Sequence, residues 1–247
     1  ATAAVVAASP APGVVVLPRP GFPSPLATVE PSGAWRLEAV STTRRAPTYT
    51  PRPSVPRPGG APPTLSGLPF QRAFSQPGTT FALYGRDGAS ARVLAAIGPA
   101  GAIKYAFDFA SYGFPPSRPT SFGPQEVVWA RQVGDVLVVQ TSHLSYARES
   151  GNRNGYLTAL SLPSGRVLWR SRSLVANAGT FVVVRGLVVS GYGFTAEPDW
   201  VYLTDLRTGR VLDRLRIPSA AEEIGRRGSE LVVRAYDARV VVRIRPA

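Results

Sequence analysis

Leu160-Ser161-Leu162-Pro163-Ser164-Gly165-Arg166-Val167-Leu168 and Thr204-Asp205-Leu206-Arg207-Thr208-Gly209-Arg210-Val211-Leu212 stand 44 residues apart and read as one element written twice. The same spacing carries Leu187, Val188, Val189 and Tyr192 onto Leu231, Val232, Val233 and Tyr236. It also carries Arg166, Leu168, Arg170 and Arg172 onto Arg210, Leu212, Arg214 and Arg216. A shifted copy precedes these: Gly134–Val139 resembles Arg185–Val189, with about eight residues inserted around His143–Gly151. Self-similarity at this period, filled by four short strands, is the signature of a propeller blade. The Ser/Thr-Gly-Arg-Val-Leu core then reads as a tight hairpin between the last two strands of a blade, with glycine at a position needing φ > 0.

Outward from the repeat, residues 79–245 alternate short valine-rich runs with Gly, Asp-Gly and Ser-Gly turns. Runs of this length and spacing indicate an all-β body. Only Ser219–Gly225 reads as helical. The strands group as about three quarters of a blade over 79–109, full blades over 126–171 and 180–216, and three quarters of a fourth over 219–245. A propeller of about four four-stranded blades is therefore expected, with an unfilled edge in its C-terminal blade. Unpaired edges invite aggregation, so a further strand should cover this one. Trp35–Thr43, where Trp35, Leu37 and Ala39 alternate with Arg36, Glu38 and Val40, and Gly13–Leu17 are the segments able to do so; a second chain is the alternative.

At Thr158-Ala159-Leu160-Ser161, Ser164-Gly165-Arg166 and Val167-Leu168-Trp169 the chain resembles the PQQ-like β-propeller repeat family. The signature recurs at Tyr202-Leu203-Thr204-Asp205, Thr208-Gly209-Arg210 and Val211-Leu212-Asp213, where Asp213 replaces the anchoring aromatic. The resemblance covers about residues 79–245, is shared with uncharacterised secreted bacterial members, and implies a location outside the cytoplasm. Related propellers serve outer-membrane assembly machinery. Others are quinone-dependent dehydrogenases with larger rings, a calcium-held cofactor and a vicinal disulfide. This chain has no Cys, too few blades and no calcium-ligand cluster, so no cofactor is expected.

Residues 1–70 hold 15 of the 25 prolines, in runs such as Pro51-Arg52-Pro53-Ser54-Val55-Pro56-Arg57-Pro58. Proline fixes φ and removes a donor, which favours extended spacer over helix or central strand. Residues 1–70 are accordingly read as an extended proline-rich arm, donating a closing strand or mediating self-association, and 71–247 as the propeller domain. The absence of Met, an initiator included, points to a processed chain that is secreted or periplasmic.

Composition excludes much chemistry. Without Cys there is no disulfide, thiol nucleophile or thiolate-bound metal, and a single histidine, His143, cannot build a polyimidazole site, so no metal site is expected. No Gly-x-Ser-x-Gly elbow accompanies His143, which reads as a loop residue rather than a general base. The repeat instead places aromatic-bearing loops on one face of the ring. Tyr112, His143, Tyr146, Tyr192, Phe194 and Tyr236, with Glu197 and Asp199, are the candidate binding residues there. Tyrosines beside charged groups suit glycan, peptide or small-ligand recognition; the plainer reading is that they plug the channel mouth. Glu197 and Asp199 keep open a carboxylate hydrolase or lyase.

The formal charge is +13, and 27 of the 28 basic residues are Arg. The first 70 residues carry six basic against two acidic residues, so no single tail holds the charge. Arg166, Arg170 and Arg172, then Arg210, Arg214 and Arg216, fall at alternate positions of equivalent strands and would form a basic rim. Such a rim would dock an anionic envelope component or an acidic partner, or simply be solvated. Aromatics are not interleaved with the arginines and no nucleic-acid-binding motif is present, so nucleic acid is disfavoured. No segment is long and apolar enough to cross a membrane as a helix. The function these features favour is non-enzymatic binding or scaffolding at the bacterial cell envelope, as a peripheral subunit of a larger assembly.

Overall fold

In each repeat the chain reverses through the same hydrogen bonds. Ser161 N–H donates to the Arg166 carbonyl and Gly165 N–H to that of Ser161; 44 residues on, Asp205 N–H donates to Arg210 and Gly209 N–H to Asp205. Gly165 and Gly209 take φ of 66° and 72°, which a side chain would strain. A register shift then falls between Val167 and Trp169 and, in the next blade, opposite Leu203/Thr204 at Leu212. The sequence repeat is thus a repeat of turn and bulge alike.

The computed structural model describes residues 18–21, 34–112, 125–143, 145–194 and 197–247. Its strands are β1 (Trp35–Arg44), β2 (Thr64–Leu65), β3 (Leu68–Gln76), β4 (Thr79–Tyr84), β5 (Val93–Ile97), β6 (Ile103–Asp108), β7 (Glu126–Val133), β8 (Val136–Ser142), β9 (Tyr156–Ser161) and β10 (Val167–Arg170). They continue as β11 (Val182–Val184), β12 (Leu187–Tyr192), β13 (Trp200–Asp205), β14 (Val211–Arg216), β15 (Ala221–Arg227), β16 (Glu230–Ala235) and β17 (Ala238–Pro246). Antiparallel pairing gives four sheets: β3–β6 with β2 on the free side of β3, β7–β10, β11–β14, and β15-β16-β17-β1. The protein is a four-bladed β-propeller. Its one described helical turn is Ala110–Tyr112.

Two readings of the sequence need correction. Ser219–Gly225 is not helical: Ala221–Arg227 forms β15, paired with β16 from Ala221↔Ala235 to Arg227↔Glu230. The helix formers there are overridden by the backbone partner that β16 supplies. The first strand of blade 1, Leu68–Gln76, escaped detection because Pro69 and the mixed run Gln71-Arg72 break its alternation. Gly13–Leu17 lies outside the described residues.

The edge of the C-terminal blade is filled by β1, which pairs with β17 from Trp35↔Pro246 to Arg44↔Ala238. From Arg44 the proline-rich chain runs on as a strap across the ring. Arg45 N–H donates to the Asp237 carbonyl and Thr48 N–H to that of Tyr236, both in blade 4. Thr50 N–H donates to Glu222 Oε2, also in blade 4, at 2.9 Å. Arg52 pairs with buried Glu126 of blade 2 at 2.6 Å, and Val55 N–H reaches the Ala73 carbonyl of blade 1. Prolines suit this path, because it is extended and needs few donors.

Two hydrophobic clusters join the blades. One spans blades 1 to 3, with Phe74 on β3 stacked on Trp129 on β7 at 4.1 Å. The other joins blade 3 to blade 4 through Val189, Val201, Leu231 and Val240. A third belongs to blade 1 alone, roofed by Ala61 and Leu65 of the strap's continuation. Among the described residues no apolar cluster joins blade 4 to blade 1; the far face of blade 4 carries the ion pairs Arg234–Glu223, Arg243–Glu230 and Arg245–Glu38. The strap bridges that seam.

The equivalent positions 169 and 213 dock each blade on the next by different chemistry. Trp169 lies against Gly209 and its Nε1–H donates to the Leu206 carbonyl of blade 3 at 2.8 Å. Asp213 Oδ2 accepts the Leu37 N–H of the closing strand at 2.6 Å. Trp169→Ala should therefore cost about 3–5 kcal/mol of stability and Asp213→Ala about 1–3 kcal/mol, read by chemical denaturation. An Asp213→Ala variant as stable as the parent would remove Asp213 from ring closure. Arg52→Ala strands the buried Glu126 carboxylate and should cost about 2–3 kcal/mol, with part restored by adding Glu126→Gln; equal loss in the single and double variants would contradict this.

Candidate functional site

Antiparallel pairing sets which loops share a face. The starts of the first and third strands of each blade and the ends of the second and fourth meet at one end: Glu126, Ser142, Tyr156 and Arg170 in blade 2, and Tyr192, Trp200 and Arg216 in blade 3. The strap crosses this same face. Because β3 is the first strand of blade 1, the loop after its second strand is 85–92, and Tyr112 follows its fourth strand instead.

The four tyrosines do not converge on one opening. Tyr112 is fully buried, edge-on to Phe109 at 5.2 Å, with its hydroxyl donating to the Gly21 carbonyl; burial pushes its pKa up to about 12. Tyr236 leans on Tyr49 of the strap at 5.0 Å. Tyr146 packs edge-on against Phe194 at 4.7 Å, joining blade 2 to blade 3. Tyr192 is buried and its hydroxyl donates to Glu197 Oε2 at 2.9 Å; burial first, then that carboxylate, raises its pKa.

His143 is buried at the base of the inserted loop. Its N–H donates to Asn154 Oδ1, while Asn154 Nδ2 donates to the His143 and Ser145 carbonyls. The ring Nδ1 and the Ser145 hydroxyl share a 2.5 Å hydrogen bond. Burial lowers the imidazole pKa, so a backbone hydrogen bond with Arg153 only partly offsets the preference for the neutral ring. This histidine staples a loop whose Ala147 N–H donates to Glu197 Oε1. Both oxygens of Glu197 are therefore engaged, by Ala147 and Tyr192, and the carboxylate acts as a clamp between loops.

Asp199 differs. Its carbonyl accepts the Ile217 N–H, but its Oδ1 is buried over Gly193 without a hydrogen-bond partner. Burial raises its pKa to about 6, against the pull of Arg216 and with the push of Asp237 and Glu197. With Glu197 and Arg216 it lines a surface pocket of about 440 Å³. Among the described residues no three His, Asp or Glu side chains gather as a metal site.

The arginines split. Arg166 and Arg216 are exposed. Arg170 is not on a rim: it is 2% exposed, its guanidinium 4.3 Å from the Tyr156 ring centre, and burial lowers its pKa. Leu168 at the bulge is 53% exposed and Arg170 turns inward, whereas Arg214, which follows the equivalent bulge in blade 3, is exposed. Arg210 is half-buried at the opposite end, beside the Thr208–Arg210 turn. Arg172 and Arg214 come together instead, over Tyr202 and Trp200 at 5.7 and 4.5 Å. Burial raises the pKa of the Tyr202 hydroxyl, and the two cations nearby pull it back. With Arg148 and Tyr192 they line a second pocket of about 550 Å³.

No protein-family description and no curated protein matches the chain. Solved structures do, each at a TM-score below 0.5. The C-terminal WD40 domain of Sif2 is 12% identical, with a TM-score of 0.48 over 73% of this chain and 47% of that one. BamB from Moraxella catarrhalis is 9% identical, with a TM-score of 0.38 over 70% of this chain and 58% of that one. The quinohemoprotein alcohol dehydrogenase from Comamonas testosteroni is 15% identical, with a TM-score of 0.39 over 73% of this chain and 23% of that one. The chain spans less than two thirds of each. These likenesses concern the fold alone.

Trp200 and Tyr202 carry no binding role in the sequence reading beyond their strand positions, and Arg148 counts there only as a charge near the tyrosine loops, yet the three complete the second pocket. The signal available was the insertion after β8, which supplies Ala147, Arg148 and Asn152 as one wall. The raised Asp199 value means that the folded chain holds its proton more tightly than the unfolded chain. Its contribution to stability is full below the ordinary carboxylate value of 3.8 and is lost as pH rises through about 6. Thermal unfolding across that window should show the parent losing stability relative to Asp199→Asn as pH rises; parallel curves would refute the assignment.

Proposed function

We propose that the chain is a non-enzymatic binding or scaffolding propeller that acts outside the cytoplasm, at the bacterial cell envelope, through the face crossed by its strap. The observation that carries this reading is the imbalance of that face. Its hydrogen-bonding acids are committed: Glu197 to Ala147 and Tyr192, Glu222 to Thr50 and Arg45, Asp237 to Arg44. Among the described residues Arg148, Arg172 and Arg214 have no carboxylate within ion-pair distance. Cations without partners beside aromatic rings favour an anionic partner over turnover chemistry, which would need a free acid and base in one pocket.

The proline-rich arm of residues 1–70 would in this reading serve the ring it straps, and the propeller of residues 71–247 would present the binding face. No described helix is long and apolar enough to cross a membrane, which suits a peripheral subunit as well as a secreted one. The carboxylate-enzyme reading rests on Asp199 alone, because Glu197 is held by two hydrogen bonds.

Retention on washed bacterial envelope at low and high ionic strength tests the proposal. The protein should be held at low salt and released as screening shortens the reach of its arginines. Replacement of the exposed Arg148 by Glu should weaken retention without lowering the unfolding temperature. A protein that stays in solution at low salt, or whose retention ignores salt, would overturn it.

A further inference from the structure

We infer that the pocket between blades 2 and 3 is a binding site for an anionic sugar, held by Arg148, Arg172 and Arg214; this rests on the binding-module reading above and gives it a ligand. Four elements build the pocket. The loop inserted after β8 supplies Arg148 and Asn152, the chain after β10 supplies Arg172 and Leu174, β13 supplies Trp200 and Tyr202, and β14 supplies Arg214. Three guanidiniums thus face one carboxylate, Glu197, whose two oxygens already accept the Ala147 N–H and the Tyr192 O–H.

The cations are also held in place. Arg172 lies over the Tyr202 ring and Arg214 over the Trp200 ring, which limits the freedom each has to lose on binding. Tyr202 is itself buried on a central strand. A planar guanidinium offers parallel N–H donors that match a carboxylate or phosphate group, and two of them stacked on Tyr202 and Trp200 of one strand make a preorganised anion seat. The wall that holds Arg148 is equally fixed, by the Ala147–Glu197 bond and by the Tyr146–Phe194 contact.

Beside the anion seat lie Trp200, Tyr202, Leu174 and Asn152. That mixture offers apolar surface to the C–H face of a sugar and hydrogen-bonding groups to its hydroxyls. About 550 Å³ is within the range of small-ligand sites and takes one or two sugar rings. An acidic peptide is less well served, because extended peptides are recognised by pairing with a free strand edge or lying in a long groove. Here the second and third blade sheets present side chains to the pocket, and β13 is paired on both sides, by β12 and β14.

The test is titration calorimetry of the full chain with four probes: a trigalacturonate, glucose 1-phosphate, neutral maltotriose and a hexaglutamate peptide. Trigalacturonate or glucose 1-phosphate should bind, the stronger of the two naming carboxylate or phosphate as the anchoring group, and maltotriose should not. Affinity should fall about tenfold or more in Arg172→Ala and Arg214→Ala. Because those two side chains also support Tyr202, Arg148→Ala provides a variant with an exposed side chain and an undisturbed core; it should weaken binding with an unchanged unfolding temperature. Arg166→Ala, on an exposed arginine outside the pocket, should leave binding intact. Equal losses in Arg166→Ala and Arg148→Ala, binding of hexaglutamate as strong as that of the acidic sugars, or no binding of either acidic sugar would overturn the inference. Envelope retention that survives the pocket variants would overturn it while leaving the binding-module reading in place.

Discussion

The pairing of the N-terminal strand Trp35–Arg44 with the C-terminal strand Ala238–Pro246 is the constraint on which the ring depends. Each blade is a sheet whose outermost strand would otherwise present a row of unpaired backbone donors and acceptors to water and to other chains. Blades 1 to 3 obtain their last strand from the run of chain that follows locally, at the loop-closure cost of a hairpin. Blade 4 obtains its last strand from about 200 residues away, so its sheet and the path of the whole chain are settled together. The strap that follows β1 then ties blade 4 to blade 2 and to blade 1 through Arg52–Glu126 and Val55–Ala73. It does so at the one seam where the described residues show no shared apolar cluster.

Energetically the blades are joined by unlike means. Between blades 1 and 3 the joints are aromatic and aliphatic, led by Phe74 on Trp129 and Trp169 on Gly209. At the closing strand the equivalent position is Asp213, and a charge-assisted hydrogen bond to the Leu37 N–H replaces the indole. An aspartate is a sensible residue there. The last blade must receive a strand with free N–H groups, and a carboxylate can accept one where an indole, a donor only, cannot.

The same unevenness organises the candidate site. Extra residues inserted after β8 give blade 2 a loop that the other blades lack, and Asn154 and buried His143 hold its base while Glu197 holds its tip. A cleft opens beneath it against blade 3, lined by three arginines that have no acidic partner among the described residues. Function in a repeat fold sits where the repeat is broken, because identical blades would make identical surfaces.

Much of this was legible in the amino-acid sequence. The 44-residue spacing carried the blade, its hairpin glycines and the count of blades, because a tight turn imposes local residue choices that survive copying. The alternation Trp35, Leu37, Ala39 marked a strand, and the short C-terminal blade marked a need for one. Other features were settled only by contacts between distant segments. Ser219–Gly225 reads as helix until β16 is seen beside Ala221–Arg227, and Leu68–Gln76 shows no strand alternation until β4 is seen beside it. Arg170 shares its period with Arg166, yet it packs in the core against Tyr156, while its equivalent Arg214 is exposed. The meeting of Arg172 and Arg214 with Arg148 belongs to the same class. Local sequence determines the turn, strand and period, since these depend on backbone sterics within a few residues. Which side chains face one another across two blades depends on registers and bulges that no local pattern encodes, and only the folded ring decided it.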